Sequence, residues 1–284
     1  MSTETILHFS RALASHIQAG EALIIKLLEE GDRREESAAK LHLDSSGDIS
    51  RDDIRHAHQD LLMTALSGLD HFKAFCSTLE ARPVGAWALG SLARGATEAF
   101  GKVAYFLESE TTEEFYYRFS RLRIKSVSYL AGEEYREYET EWGRRARDHA
   151  ARWEAELISN SGEPVSKTNT PTPPRLAKNL LRKTFEARAS SWYASVAALS
   201  HSEYSAMDRL VDPTIHNNHD LIVVINGLYV DVEQLVAPPM LVESYVLRSI
   251  SEYFGLSEVE LNDWIQTGTT TAEYAAKYWT GRAT

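Results

Sequence analysis

Arg94 and Glu98 stand four residues apart in a stretch, 86–107, that holds ten Ala, Gly or Ser residues and only three charges, the third being Lys102. Side chains four apart share one face of a helix, so the guanidinium and the carboxylate pair there, and an otherwise small and apolar helix leaves that pair partly desolvated. His201 is the third polar group expected to meet them, because it closes the apolar run from Trp192 to Leu199 in an abrupt Ser200-His201-Ser202. An imidazole exchanges protons near neutral pH and a guanidinium stabilises developing negative charge, so the set has the parts for general acid/base catalysis. The structural alternative is that Arg94, Glu98 and Lys102 form the narrow wet edge of a packed helix and His201 is a satisfied boundary histidine.

Two other groupings have chemical potential. Phe115-Tyr116-Tyr117-Arg118-Phe119-Ser120-Arg121-Leu122-Arg123-Ile124-Lys125 mixes rings and cations. Arg118, Arg121, Arg123 and Lys125 are therefore RNA-contact candidates that could reach phosphates while neighbouring rings stack on bases. At helical spacing the same stretch reads as an ordinary amphipathic helix with Phe115, Phe119 and Leu122 inward. Asp212, His216, His219 and Asp220 offer acceptable ligand types for a transition metal, giving a minor reading as a metal-binding protein, although inter-helix loops gather such residues for turn and capping reasons. No Glu-x-x-His, phosphate-binding glycine loop or nucleophile elbow occurs, so no cofactor is expected.

The elements that must hold these residues are helical. Apolar residues recur at three and four positions, which predicts an all-α multi-helix bundle with an additional C-terminal helical group. Helices are predicted over 4–30, from Ser50 as N-cap to about Leu79, over 84–108, 112–130 and 132–158, with 32–47 partly irregular. The helix carrying Arg94 belongs at the centre, since small residues let neighbours approach closely. Residues 159–174 (SNSGEPVSKTNTPTPP) are polar and carry four of the eight prolines. They read as a linker or long loop between an N-terminal helical bundle, 1–158, and a C-terminal helical group, 175–284, packing on the first. Beyond it the spacing predicts a helix over 187–211, a turn at Pro213, a helical region broken at Gly227 and Pro238-Pro239, and short helices near Glu258 and Ala272.

The pattern Leu92-Ala93-Arg94 with Glu98 and Tyr105-Phe106-Leu107, then Arg118 and Arg121, then Tyr193 with Leu199-Ser200-His201, resembles a family of bacterial helical proteins that is itself distantly similar to the HEPN superfamily. The resemblance is scattered over about residues 70–203. It implies a HEPN-like bundle and, through the metal-independent RNases of stress and phage-defence systems in that superfamily, RNA or a nucleotide as partner. The signature of those RNases is an arginine, a polar residue, then a histidine after a gap of four to six residues. Five pairs here have that spacing: Arg11/His16, Arg51/His56, Arg51/His58, Arg144/His149 and Arg209/His216. Only Arg51 is followed by an acidic residue of the favoured kind, Asp52, so Arg51 with His56 and His58 is the alternative catalytic set, which a homodimer would double across an interface. The plainer reading is a solvated first turn whose charges suit the helix dipole.

Composition sets the outer limits. The 284 residues are 43% hydrophobic and 25% charged, and 30 Lys plus Arg against 41 Asp plus Glu leave a net charge of −11. No bulk nonspecific duplex DNA binding is expected of so acidic a chain. The lone Cys76 forms no internal disulfide, the start lacks a basic and continuously apolar leader, and the most apolar segment, 221–242, is interrupted by polar residues and Pro238-Pro239. A cytoplasmic protein without membrane contact is the expectation. The rival to the RNase reading is a non-catalytic helical protein-protein interaction module with an exposed apolar face, for which Ile222, Val224 and Tyr229 are candidates.

Overall fold

The computed structural model describes residues 3–30, 34–35, 37–45, 49–81, 86–128, 148, 151–152, 155, 170–185, 189–201, 203, 222–225 and 228–279. The described residues form an all-α multi-helix bundle carrying one short hairpin.

Helix α1 (Thr3–Glu30) lays the stripe Ile6, Phe9, Leu13, Ile17, Ile24 and Leu27 into the core. The partly irregular stretch expected next contains one short helix, α2 (Ala38–Asp44), whose first turn is capped by the Ser37 hydroxyl accepting from the Lys40 N–H. Helix α3 (Arg51–Glu80) starts at the Ser50 cap, its hydroxyl accepting from Asp52 N–H with Asp52 and Asp53 against the positive end of the dipole. Its buried Leu61, Leu62, Leu69, Phe72 and Phe75 face α1 on one side and α4 (Ala86–Leu107) on the other. Helix α5 (Thr112–Ser128) buries Phe115 and Phe119 against the same core.

Helix α4 is the hub. It packs against α3, α5, α6 (Pro173–Phe185), α7 (Ala189–Ser200) and α8 (Val232–Phe254). The small residues make this possible: a Cβ on Gly101 would stand 2.7 Å from Ala177 N and 2.9 Å from Leu176 C, so the backbones of α4 and α6 touch there. Helix α6 opens with Pro173-Pro174, which suits a first turn, and buries Leu176, Ala177, Leu180 and Leu181. One continuous apolar core runs from α1 through α4 to α8, and full burial of a side chain such as Phe100 contributes about 1.5–3 kcal/mol before entropy. Cys76 lies in this core, its thiol pushed up to about 12 by burial and then by the charge of Glu80.

The C-terminal part differs from its expected form. Residues read as continuous helix form an antiparallel hairpin of β1 (Ile222–Ile225) and β2 (Leu228–Asp231), with Ile225 opposite Leu228 and Ile222 opposite Asp231. Two β-branched runs flanking Asn226-Gly227 favour a two-residue hairpin connection over a helix. Pro238-Pro239 does not break the chain either. Both prolines lie inside α8, buried, and the helix continues past the two donors they remove. The two short terminal helices are one, α9 (Glu258–Trp279). Between α8 and α9, Gly255 at φ +68° lets Leu256 N–H reach Ser251 C=O and its own N–H reach Glu252 C=O, and Ser257 with Glu260 then caps α9. The helix expected over 132–158 and most of 159–174 lie outside the described residues, as does the stretch of the 187–211 prediction beyond Glu203.

Candidate functional site

The Arg94 edge of α4 meets the end of α7. Arg94 Nε donates to Glu98 Oε1 at 2.8 Å, and one terminal nitrogen of the same guanidinium lies 2.8 Å from His201 Nε2. Guanidinium can only donate, so Nε2 accepts and the imidazole proton sits on Nδ1. Tyr193 OH donates to the same Glu98 oxygen in a short hydrogen bond. The Arg94 and Glu98 side chains keep 21% and 22% of their surface exposed, Tyr193 is buried, and His201 is exposed. Lys178 of α6 stands 5.2 Å from the centre of the Tyr193 ring, and Arg94 6.0 Å from it.

The geometry follows from the helices. Residues 94 and 98 fall on one stripe of α4, Tyr193 is one turn and a half before the end of α7, and His201 continues that helix by one residue, its N–H bonded to Ala197 C=O. The hydrogen bond to Glu98 raises the Arg94 pKa further. Burial, followed by the hydrogen bond to and charge of Glu98, pushes the Tyr193 hydroxyl well above its ordinary range. The result is one carboxylate oxygen accepting from two donors and one guanidinium bridging a carboxylate and a neutral imidazole nitrogen at the surface.

The alternative set is not assembled in this way. Arg51 pairs with Asp44 at 3.2 Å, His56 is exposed, and His58 is buried with Nε2 2.9 Å from Tyr253 OH. The α5 cations are engaged within the fold: Arg118 with Glu114 at 2.6 Å and with Tyr105 C=O, Arg123 with Asp60 at 3.2 Å, Lys125 with Thr170 C=O at 3.3 Å, while Arg121 lies over the Tyr117 ring. Asp212, His216, His219 and Asp220 lie outside the described residues, as do Arg144, His149 and Arg209. Among the described residues no group of three or more His, Cys, Asp or Glu could hold a metal ion, and no helix is long and apolar enough to cross a membrane.

Sequence reasoning quoted Tyr193 only within a scattered pattern and Lys178 only within a basic stretch. The signal for both was present: Tyr193 is eight residues, just over two helical turns, before His201, and Lys178 follows from the inward face of α6 being Leu176, Ala177, Leu180 and Leu181. Two buried polar clusters had no local signal. His58, Tyr253 and His42 form a chain, Tyr253 OH lying 2.8 Å from His42 Nδ1, with burial lowering the His42 pKa and the charge of Glu113 opposing. His16 and Glu243 pair at 3.1 Å across 227 residues of sequence.

Comparison with protein-family models, with curated proteins and with solved structures finds no match to this chain. Fold and site together define an all-α bundle whose central helix exposes a guanidinium–imidazole pair braced by a buried tyrosine.

Proposed function

We propose that this chain is an RNA-engaging helical protein that cleaves phosphodiesters without a metal, with Arg94 and His201 as the reacting pair and Glu98 and Tyr193 as positioning residues. The observation that carries this reading is the guanidinium of Arg94 held between Glu98 and His201 Nε2 at an exposed edge. The resemblance to HEPN proteins points the same way. A phosphate that draws the terminal nitrogen of Arg94 frees the Nε2 lone pair. His201 then takes the proton of the ribose 2′-hydroxyl, the 2′-oxygen attacks the adjacent phosphorus, and the bond to the 5′-oxygen breaks as that oxygen is protonated from solvent. The products are a 2′,3′-cyclic phosphate and a 5′-hydroxyl, with Arg94 neutralising charge on the pentacoordinate phosphorus. Glu98 and Tyr193 fix the guanidinium plane.

Purified full chain incubated with varied RNAs in EDTA tests this. Arg94→Ala and His201→Ala are each expected to reduce cleavage about 10²–10⁴-fold, the range typical of a lost acid/base group. Arg51→Ala with His56→Ala serves as the comparison; His58 is left intact because it sits in the core. Absence of both cleavage and RNA binding by the wild type overturns the proposal and leaves the cluster as a clamp between α4 and α7 in an interaction protein.

A further inference from the structure

A groove of about 260 Å³ lies between α1 and α9, remote in the fold from the α4–α7 edge. Its polar lining is His8, Arg11 and Ser15 from α1 and Thr267, Thr270 and Tyr274 from α9. In a chain with 41 carboxylates, none lines this groove. Arg11 has no carboxylate partner among the described residues, whereas Arg34, Arg51, Arg55, Arg94, Arg118 and Arg152 each have one. A guanidinium and an imidazole on one wall, without an internal anion to satisfy them, suit an anion supplied from outside.

The hydroxyls specify the remainder of the ligand. Ser15 Oγ donates to Arg11 C=O at 3.0 Å, Thr267 Oγ1 to Asp263 C=O at 2.8 Å and Thr270 Oγ1 to Gln266 C=O at 3.0 Å. With their protons committed to backbone carbonyls, these oxygens offer lone pairs, which accept from hydroxyl groups of a ligand. The walls are also fixed before any ligand arrives. Thr271 Oγ1 donates to Ala12 C=O at 3.1 Å, and Thr267 is backed by His16, whose Nδ1 lies 3.4 Å from Thr267 Oγ1 and whose Nε2 is held by Glu243. Groups locked in place lose little entropy on binding. The volume lies just under the usual range of small-molecule pockets, about 300–1,000 Å³, and so admits a compact ligand.

We propose that this groove binds a small hydroxylated phosphate monoester, a sugar phosphate in chemical class, with Arg11 and His8 at the phosphate and the hydroxyls of Ser15, Thr267 and Thr270 receiving the hydroxyl groups of its body. The site is independent of the RNA-cleavage reading. Calorimetric titration of the full chain at low salt with ribose 5-phosphate, inorganic phosphate and ribose separates the contributions. Saturable binding of ribose 5-phosphate with Kd below about 1 mM is expected, at least tenfold tighter than either fragment. Arg11→Gln, an exposed substitution, is expected to weaken it at least tenfold with the circular dichroism spectrum unchanged. Thr270→Val is expected to weaken the sugar phosphate but not inorganic phosphate, and Arg248→Gln, on another face, neither. No saturable binding, binding indifferent to Arg11→Gln, or inorganic phosphate binding as tightly as ribose 5-phosphate overturns the proposal.

Discussion

Glu243 is fully buried, and its carboxylate accepts from Trp264 Nε1 at 3.1 Å and Ser244 Oγ at 3.2 Å while pairing with His16. Burial by itself lowers the His16 pKa, but the hydrogen bond and charge of Glu243, with a smaller contribution from Trp264, outweigh it and hold the pKa above the ordinary value of 6.5. A raised folded-state pKa means that the stabilisation is complete below the unfolded value and is lost as pH rises through the folded one. Urea unfolding of wild type beside Glu243→Gln is therefore expected to show the widest gap near about pH 6, narrowing through alkaline pH, and a gap constant with pH would contradict the pairing. Glu243→Ala, which also abandons the imidazole, is expected to cost about 3–5 kcal/mol. This pair was invisible in the sequence because nothing local links residues 227 apart. Arg94 and Glu98 were legible because helical geometry alone joins positions four apart.

At the scale of elements, the close approach of α4 and α6 gives the sharpest expectation. Gly101→Ala places a methyl against backbone atoms of Leu176 and Ala177, which cannot swing aside as a side chain can, so a loss of about 1–3 kcal/mol in thermal unfolding is expected. The start of α9 behaves differently. Hydrogen bonds from Arg34, then from Lys26 and from Ser257 N–H, hold the Glu260 carboxyl well below its ordinary 4.5. A depressed pKa contributes stability above the unfolded value that is lost as pH falls through the folded one. Glu260→Gln is accordingly expected to destabilise the protein at pH 7 and to become nearly neutral in strong acid, as followed by circular dichroism. Helix α3 was readable in full, because Ser50, Asp52 and Asp53 announce its start. The hairpin was misread because its runs are short, and periodicity cannot separate a four-residue apolar strand from a piece of buried helix.

For the molecule as a whole, the position of α4 determines what can be cut away. Leu89, Ala93, Ala96 and Phe100 are buried on a helix that α6, α7 and α8 cover as well as α3. A fragment of residues 1–158 would expose that face, and it is expected to lack the cooperative unfolding transition of the full chain by calorimetry. The polar segment 159–174 predicts separable halves, whereas the shared core joins the elements before and after it; composition marks where a chain is loose without revealing what its two sides bury together. Cys76 adds a last consequence. The one thiol of the chain is buried and held protonated at neutral pH, so alkylating reagents reach it only in molecules whose bundle has opened. Its labelling rate is thus a built-in clock for that opening, readable by mass spectrometry on the unmodified protein and without an introduced probe.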